Sequence, residues 1–319
     1  MNDKEDIAVK DEGTEEEIPA LPSHISDIKN KTIRRKQVEQ YKKMKKKVLK
    51  EKHKKMKAEG APKQTPKTIE AMRVKDETML VSMEGESKDE VALDVAHDDL
   101  SGYYTRTYEP KVLITFSDNP EKRSRVFGRE LMRIIPNSLS RYRNRSGIKK
   151  MVKSCIARGF TDIVVINEDM KKPNGLLVIH LPNGPTANFR LSNVKITKDL
   201  KRSHKDITSH RPEVILNNFN TRLGHTVGRM LGALFHFDPE FKGRRAVTFH
   251  NQRDYIFFRH HRYEFQSAGK VKIRELGPRF TLKLRYLQQG TFDSKHGEYE
   301  WIITGRRHEM ETSRRKFFL

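Results

Sequence analysis

Eight apolar-rich stretches of strand length punctuate the chain, all of them beyond residue 110. They are KVLITFS (111–117), DIVVINE (162–168), GLLVIHLP (175–182), ANFRLSNVKI (187–196), PEVILNNF (212–219), RAVTFHNQ (245–252), DYIFFRHHRYEF (254–265) and RFTLKLRYL (279–287). Their β-branched and aromatic content reads as strand. Between them Arg125–Ile135, Ile148–Arg158 and Gly224–Phe235 carry apolar residues at helical spacing. Leu131, Ile134 and Ile135 form one such stripe, and Val227, Leu231, Leu234 and Phe235 another. Asn183–Gly184 separates two strand-like runs and predicts a tight hairpin turn. Strands interleaved with helices predict an α/β core.

The pattern repeats at a spacing near 100 residues. Val112-Leu113-Ile114-Thr115-Phe116-Ser117 leads through a polar loop to Phe127-Gly128-Arg129-Glu130-Leu131. Val214-Ile215-Leu216-Asn217-Asn218-Phe219 leads through a similar loop to Val227-Gly228-Arg229-Met230-Leu231. A glycine inside a helix costs about 1 kcal/mol relative to alanine. Its recurrence at the matching point predicts a strand or helix packed close against each one. Two α/β halves, related by duplication and packed as one body, are therefore expected.

Residues 1–110 have a different texture. They hold 23 basic and 23 acidic residues, so the whole formal charge of +23 falls on the remainder of the 319-residue chain. Charges come in blocks here, acidic over 1–20, lysine-rich over 29–63 and acidic again over 76–99. Hydrophobic residues are too sparse to offset the entropy of ordering, which predicts a largely disordered arm. Within it, the Lys- and Arg-rich stretch near 31–58 has high helix propensity, with Tyr41, Met44 and Val48 on a narrow stripe. Such an arm could order on nucleic acid and carry a nuclear address. With one cysteine, Cys155, no internal disulfide framework is possible, and its apolar neighbours predict a packed thiol. No run approaches the roughly 20 apolar residues of a membrane span. The acidic first residues do not read as a secretory signal, so a soluble intracellular protein without a membrane partner is expected.

Catalytic patterns are scarce. Phosphate-cradling GxxxxGK[ST] and GxGxxG motifs are missing, as are GxSxG and HExxH. The acids beyond residue 110 show no D-x-D or E-x-x-E spacing, which weakens two-metal nuclease chemistry. His260 and His261 are adjacent, hence on opposite faces of a strand, and read as surface or RNA-facing rather than as metal ligands. No catalytic residue, cofactor, metal or small-molecule substrate is expected.

Basic residues are abundant, and a strongly basic folded body points to a polyanionic partner. Lys270–Gly290 is the most informative segment. Phe280, Leu282, Leu284 and Tyr286 alternate with Arg279, Thr281, Lys283 and Arg285. Period two predicts the apolar set on a core and the cations outward along one edge. Further candidate RNA contacts are Lys122, Arg123 and Arg125 ahead of the first Gly-Arg helix, and Arg244 and Arg245 after the second. The loop Asn137–Lys150 adds Arg141, Arg143, Arg145, Lys149 and Lys150 around Tyr142, an arginine-and-stacking combination suited to RNA. Arg306 and Arg307 extend the basic surface.

These residues carry a resemblance. KVLITFS, RPEVILNNFNTRLGHTVGRMLGALF and RELGPRFTLKLRYLQQG, between Lys111 and about Arg307, resemble the Brix domain of eukaryotic ribosome-assembly factors. The last is similar to the family's sigma-factor-like RNA-binding motif, here Arg274 to Gly290. The resemblance implies two pseudo-symmetric α/β halves, each akin to an anticodon-binding domain, with the boundaries 1–110 for the charged arm, 111–209 and 210–307 for the halves, and 308–319 for a basic tail. It implies a non-enzymatic nucleolar factor that binds ribosomal RNA in precursors of the large (60S) subunit, assists its folding and processing, and works beside other assembly factors and ribosomal proteins. By the same resemblance Arg279, Lys283 and Arg285 are RNA contacts. The competing readings are an RNA-processing enzyme and a protein-interaction adaptor.

Overall fold

A computed structural model describes residues 25, 27–58, 66–74, 78–80, 86–200, 207–266, 269–303 and 316–319. The chain divides into two compact units, 1–67 and 68–319. In the first, the helix expected near 31–58 is present as α1 (Lys31–Ala58). The Asn30 side chain caps it, accepting the backbone N–H of Thr32 at 2.9 Å.

The second unit is built on an eleven-stranded sheet. The chain enters it through α2 (Glu86–His97) and α3 (Ser101–Tyr104). The first half then runs β1 (Val112–Phe116), α4 (Lys122–Ile134), β2 (Ser138–Ser140), α5 (Ile148–Ala157), β3 (Asp162–Asp169), β4 (Lys172–His180) and β5 (Thr186–Lys195). The second half runs β6 (Glu213–Asn217), α6 (Arg222–Gly232), β7 (Arg245–Gln252), β8 (Tyr255–Phe265), β9 (Val271–Glu275), β10 (Arg279–Gln288) and β11 (Tyr299–Ile302). Spatial order is β2-β1-β3-β4-β5-β10-β8-β7-β6, with β9 on β8 and β11 on β10.

Apart from the extra edge strand β2, that order is a palindrome about the β5–β10 contact. β1 lies parallel to β3, which continues antiparallel into β4 and β5. β6 lies parallel to β7, which continues antiparallel into β8 and β10. β5 and β10 meet antiparallel at the centre. The sequence echo is thus a structural repeat. Both glycines sit where a strand end crowds the helix: a Cβ at Gly128 would lie 2.4 Å from the Phe116 ring, and one at Gly228 would lie 3.2 Å from Phe219.

α4 and α6 cover the same face of the sheet, and one continuous core lies beneath them. Phe116, Phe127, Ile166 and Phe189 of the first half join Val227, Phe235, Phe258 and Leu282 of the second. Phe258 stacks on Phe280 with ring centroids 4.3 Å apart, and Phe127 meets Phe280 edge-on at 5.4 Å. Those rings pack the two halves together. The opposite face has a smaller core beneath α5, where Val152 and the buried thiol of Cys155 pack on Leu113, Ile163 and Val165. Burial pushes that thiol's pKa up.

Three differences from the sequence expectations have identifiable causes. The folded unit starts well before residue 111. Leu100 and Tyr103 are core residues, and the Tyr103 hydroxyl donates to the carbonyls of Gly232 and Phe235. Arg229 is buried against Asp98, and its guanidinium lies 4.5 Å from the Tyr104 ring centre. Averaging charge over 110 residues masked this apolar segment at their end. Second, β2, β9 and β11 lie outside the eight expected runs; they are short and only partly buried. Third, β10 is a central strand, and its alternation breaks. Phe280, Leu282 and Leu284 face the large core, but the register slips between Leu284 and Tyr286. This bulge sends Tyr286 to the α5 face and Leu287 into the large core.

Candidate nucleic-acid interface

A cleft of about 710 Å³ opens where the ends of β5 and β10 meet the projecting β8–β9 hairpin. Six cations line it: Lys195 from the first half, and Arg244, Arg262, Lys272, Arg274 and Arg279 from the second. Local geometry explains their convergence. Arg262 and Arg274 are direct cross-strand partners in the hairpin, and Arg279 pairs with Lys195 across the sheet's centre. Arg244 has a left-handed backbone (φ 48°) and is exposed just ahead of the first residue of β7. Three acids also line the cleft, but two are neutralised locally. Asp199 accepts from Arg123 at 2.6 Å, and Glu275 from Arg279 at 2.5 Å. Clustered, hydrated cations of this kind suit closely spaced phosphates.

A second basic site forms at the edge strand β2. Two adjoining depressions, of about 500 and 460 Å³, share Tyr142 and Arg143. Around them the fold gathers Arg125, Arg141, Arg145 and Lys150 with Lys111 and Arg158. Arg143 is held by Asp118 at 3.2 Å. Tyr142 is 56% exposed, and its ring centre lies 5.7 Å from that of Phe116. A fixed, exposed ring among arginines can stack on a base while they neutralise its phosphates.

The remaining candidates are scattered. Lys122 is exposed in the first turn of α4. Lys149 is exposed and pairs with Asp293 at 2.8 Å. Lys283 lies on the α5-side face of the sheet, its ammonium 5.0 Å from the centre of the Tyr255 ring. Arg285, the residue left over at the bulge, is exposed. Arg306 and Arg307 lie outside the described residues.

Arg245 is a correction. It is only 2% exposed. Its guanidinium donates to the carbonyls of Thr208, His210 and Arg133 and, through Nε at 3.1 Å, to Nε2 of His260. Burial without a carboxylate partner pushes its pKa down to about 10. In Arg244-Arg245, then, one residue faces solvent and the other braces the interior. His260, expected at the surface, is also fully buried, with its Nδ1 hydrogen donated to the Gly277 carbonyl at 2.9 Å. Burial drives its pKa down to about 4, so the ring is neutral. His261 does sit on the opposite face, half-buried.

Sequence reasoning did not single out Lys195, Arg262, Lys272 and Arg274 as site residues, nor Lys111 and Arg158. A signal existed for some of them, since Lys272 and Arg274 alternate with Val271 and Ile273 just ahead of RFTLKLRYL. Lys195 and Arg262 are distant in sequence, and only the central β5–β10 pairing brings their strands together.

The match to known proteins is extensive. The Brix domain model matches residues 117–286. The probable ribosome production factor 1 of Drosophila melanogaster is 62% identical over 95% of this chain and 76% of its own length. Ribosome production factor 1 of Xenopus laevis is 58% identical over 81% of this chain and 74% of its own, and that of Pongo abelii 53% identical over 92% and 85%. Among solved structures, a probable ribosomal biogenesis protein from Aeropyrum pernix K1 covers 61% of this chain and 99% of its own at 15% identity and a TM-score of 0.42. With more than half its length matched by the family model, and with relatives this close across most of the remainder, the chain belongs to the Brix domain family.

Proposed function

We propose that this protein serves ribosome biogenesis by binding ribosomal RNA in precursors of the large (60S) subunit, supporting its folding and processing as a non-catalytic scaffold. It works in the nucleolus beside other assembly factors and ribosomal proteins. The observation that carries this reading is the basic cleft, to which both halves of the sheet contribute cations. Its mechanism is neutralisation. Folding brings phosphates of distant RNA segments together against their own repulsion, and fixed guanidinium groups offset it while arginine forks orient the backbone. The edge-strand site at Tyr142 offers a second point of attachment, so one rigid body can hold two RNA segments in a fixed geometry.

Crosslinking the protein to RNA in cells and sequencing the attached fragments tests this reading. Large-subunit precursor sequences are expected to dominate, and charge reversal by Lys272→Glu with Arg274→Glu is expected to deplete them. Fragments spread over unrelated transcripts, or recovery unchanged by the double substitution, would overturn it.

A further inference from the structure

The two halves differ in what covers the sheet. In the first, α5 lies on the face opposite α4. In the second, the chain passes from α6 to β7 through Ala233–Arg244 with only a short turn of helix at Phe241–Gly243, and no counterpart of α5 forms. Among the described residues, the equivalent face of β10, β8 and β7 therefore has no helix of its own half over it.

Cross-strand pairing arranges that face in rows. Arg190 of β5, Lys283, Tyr255 and Gln252 make one, and Ser192, Thr281, Phe257 and His250 the next. Tyr255 is 42% exposed, and Phe257 is half-buried beside it with the Arg259 guanidinium 5.9 Å from its ring centre. The two rings are two positions apart on one strand, hence about 6.5–7 Å, close to the rise of an extended nucleic-acid strand. Neither row contains a carboxylate. Glu213 accepts from Tyr263 and Glu275 from Arg279; Glu275 is also within charge range of Arg259, and Asp254, in the turn before Tyr255, within charge range of Lys283. Arg279 also lines the cleft, so the rows and the cleft share a border.

We propose that this face is a stacking platform for unpaired RNA bases, with Tyr255 and Phe257 beneath the bases and Arg190, Arg259 and Lys283 on their phosphates. The proposal rests on the RNA-binding reading and adds that the bound segment is single-stranded. Aromatic faces accept any base, whereas a paired duplex hides its base faces. An apolar protein segment is a poorer fit, because cations flank both rings.

Binding of the full chain to a short oligouridylate and to an RNA duplex of the same length tests the platform. Tyr255→Ala is expected to weaken oligouridylate binding about tenfold and to leave duplex binding unchanged. Tyr255→Phe, which keeps the ring, is expected to bind like the original. Thermal melts of both variants check that the fold is intact. For comparison, Lys272→Glu with Arg274→Glu is expected to weaken both ligands. Equal loss of both ligands in Tyr255→Ala, or loss of neither, would overturn the platform while leaving the cleft reading intact. If the unmodified protein bound no RNA of either kind, both readings would fail together.

Discussion

The two halves place a histidine at the same point of the repeat and treat it in opposite ways. Val112 pairs with Asp162, which pairs with His180; Val214 pairs with Val247, which pairs with His260. In the first half the imidazole meets a carboxylate, Nδ1 to Asp162 at 2.7 Å, and Tyr108 at its other nitrogen. Burial opposes its charge, but the Asp162 hydrogen bond and negative charge outweigh that and raise its pKa. In the second half the cross-strand partner is Val247, and the ring turns to Arg245 and a carbonyl instead. Burial then dominates and the ring stays neutral. Strand register fixes where a side chain lies. Its protonation depends on burial and on the charges around it, of which the residue opposite differs between the halves.

The largest effect is expected from Arg245→Ala. It leaves three carbonyls and the His260 ring without their donor inside a packed core, at a cost of about 3–5 kcal/mol. Denaturant melts measure it, and a cost below about 1 kcal/mol would mean that water reaches the site. The pH response of the two histidines comes next. His260 titrates near 4 when folded and near 6.5 when unfolded, so the unfolded chain binds the extra proton between those values. Its contribution is present above pH 6.5 and is lost as pH falls towards 4, by roughly 3 kcal/mol in all. His180 has the opposite sign: its contribution is complete below the unfolded pKa and fades as pH rises through the folded one. His260→Gln is expected to flatten the acid limb of a stability–pH profile, below the unfolded pKa, and His180→Gln the limb above it. Flattening of the same limb by both would contradict the comparison.

The paired glycines sharpen it further. Gly128→Ala drives a methyl into the buried Phe116 ring and is expected to cost about 2 kcal/mol. Gly228→Ala meets Phe219 at a distance that a small shift relieves, and the gain in helix propensity offsets much of the strain. A net change within about 1 kcal/mol is expected there. Smallest of all is Arg285→Glu, at an exposed bulge, where stability should stay within about 0.5 kcal/mol while affinity for RNA falls. Lost stability at that position would mean that the bulge cation supports the strand rather than a ligand.

Much of the fold was legible because its signals are local. The echo from Val112 to Leu131 and from Val214 to Leu231 gave the two halves, and the apolar runs gave eight strands. What escaped depends on neighbours distant in sequence. Nothing within RFTLKLRYL indicates that β5 and β8 will flank it. The bulge at Arg285 shows only in the pairing with β5, where Leu284 sits opposite Phe189 and Tyr286 opposite Asn188, and period two carried through it assigned Tyr286 to the wrong face. Arg244 and Arg245 are chemically alike, and only the left-handed turn at Arg244 separates surface from interior. The basic cleft was visible only in part: Arg244 was named from charge and Arg279 from the family resemblance, whereas Lys195 and Arg262 join them only through sheet order.

The central claim is that the cations of this cleft bind RNA by displacing counterions from its phosphates. Its most direct test is the salt dependence of binding to a large-subunit precursor RNA fragment, compared between the unmodified protein and Lys272→Glu with Arg274→Glu. A steep fall of affinity with salt is expected for the former. The double substitution should make the log–log slope shallower by about 0.7–0.9 for each phosphate that is no longer neutralised. A slope near zero for the unmodified protein, or the same steep slope for both, would contradict the account.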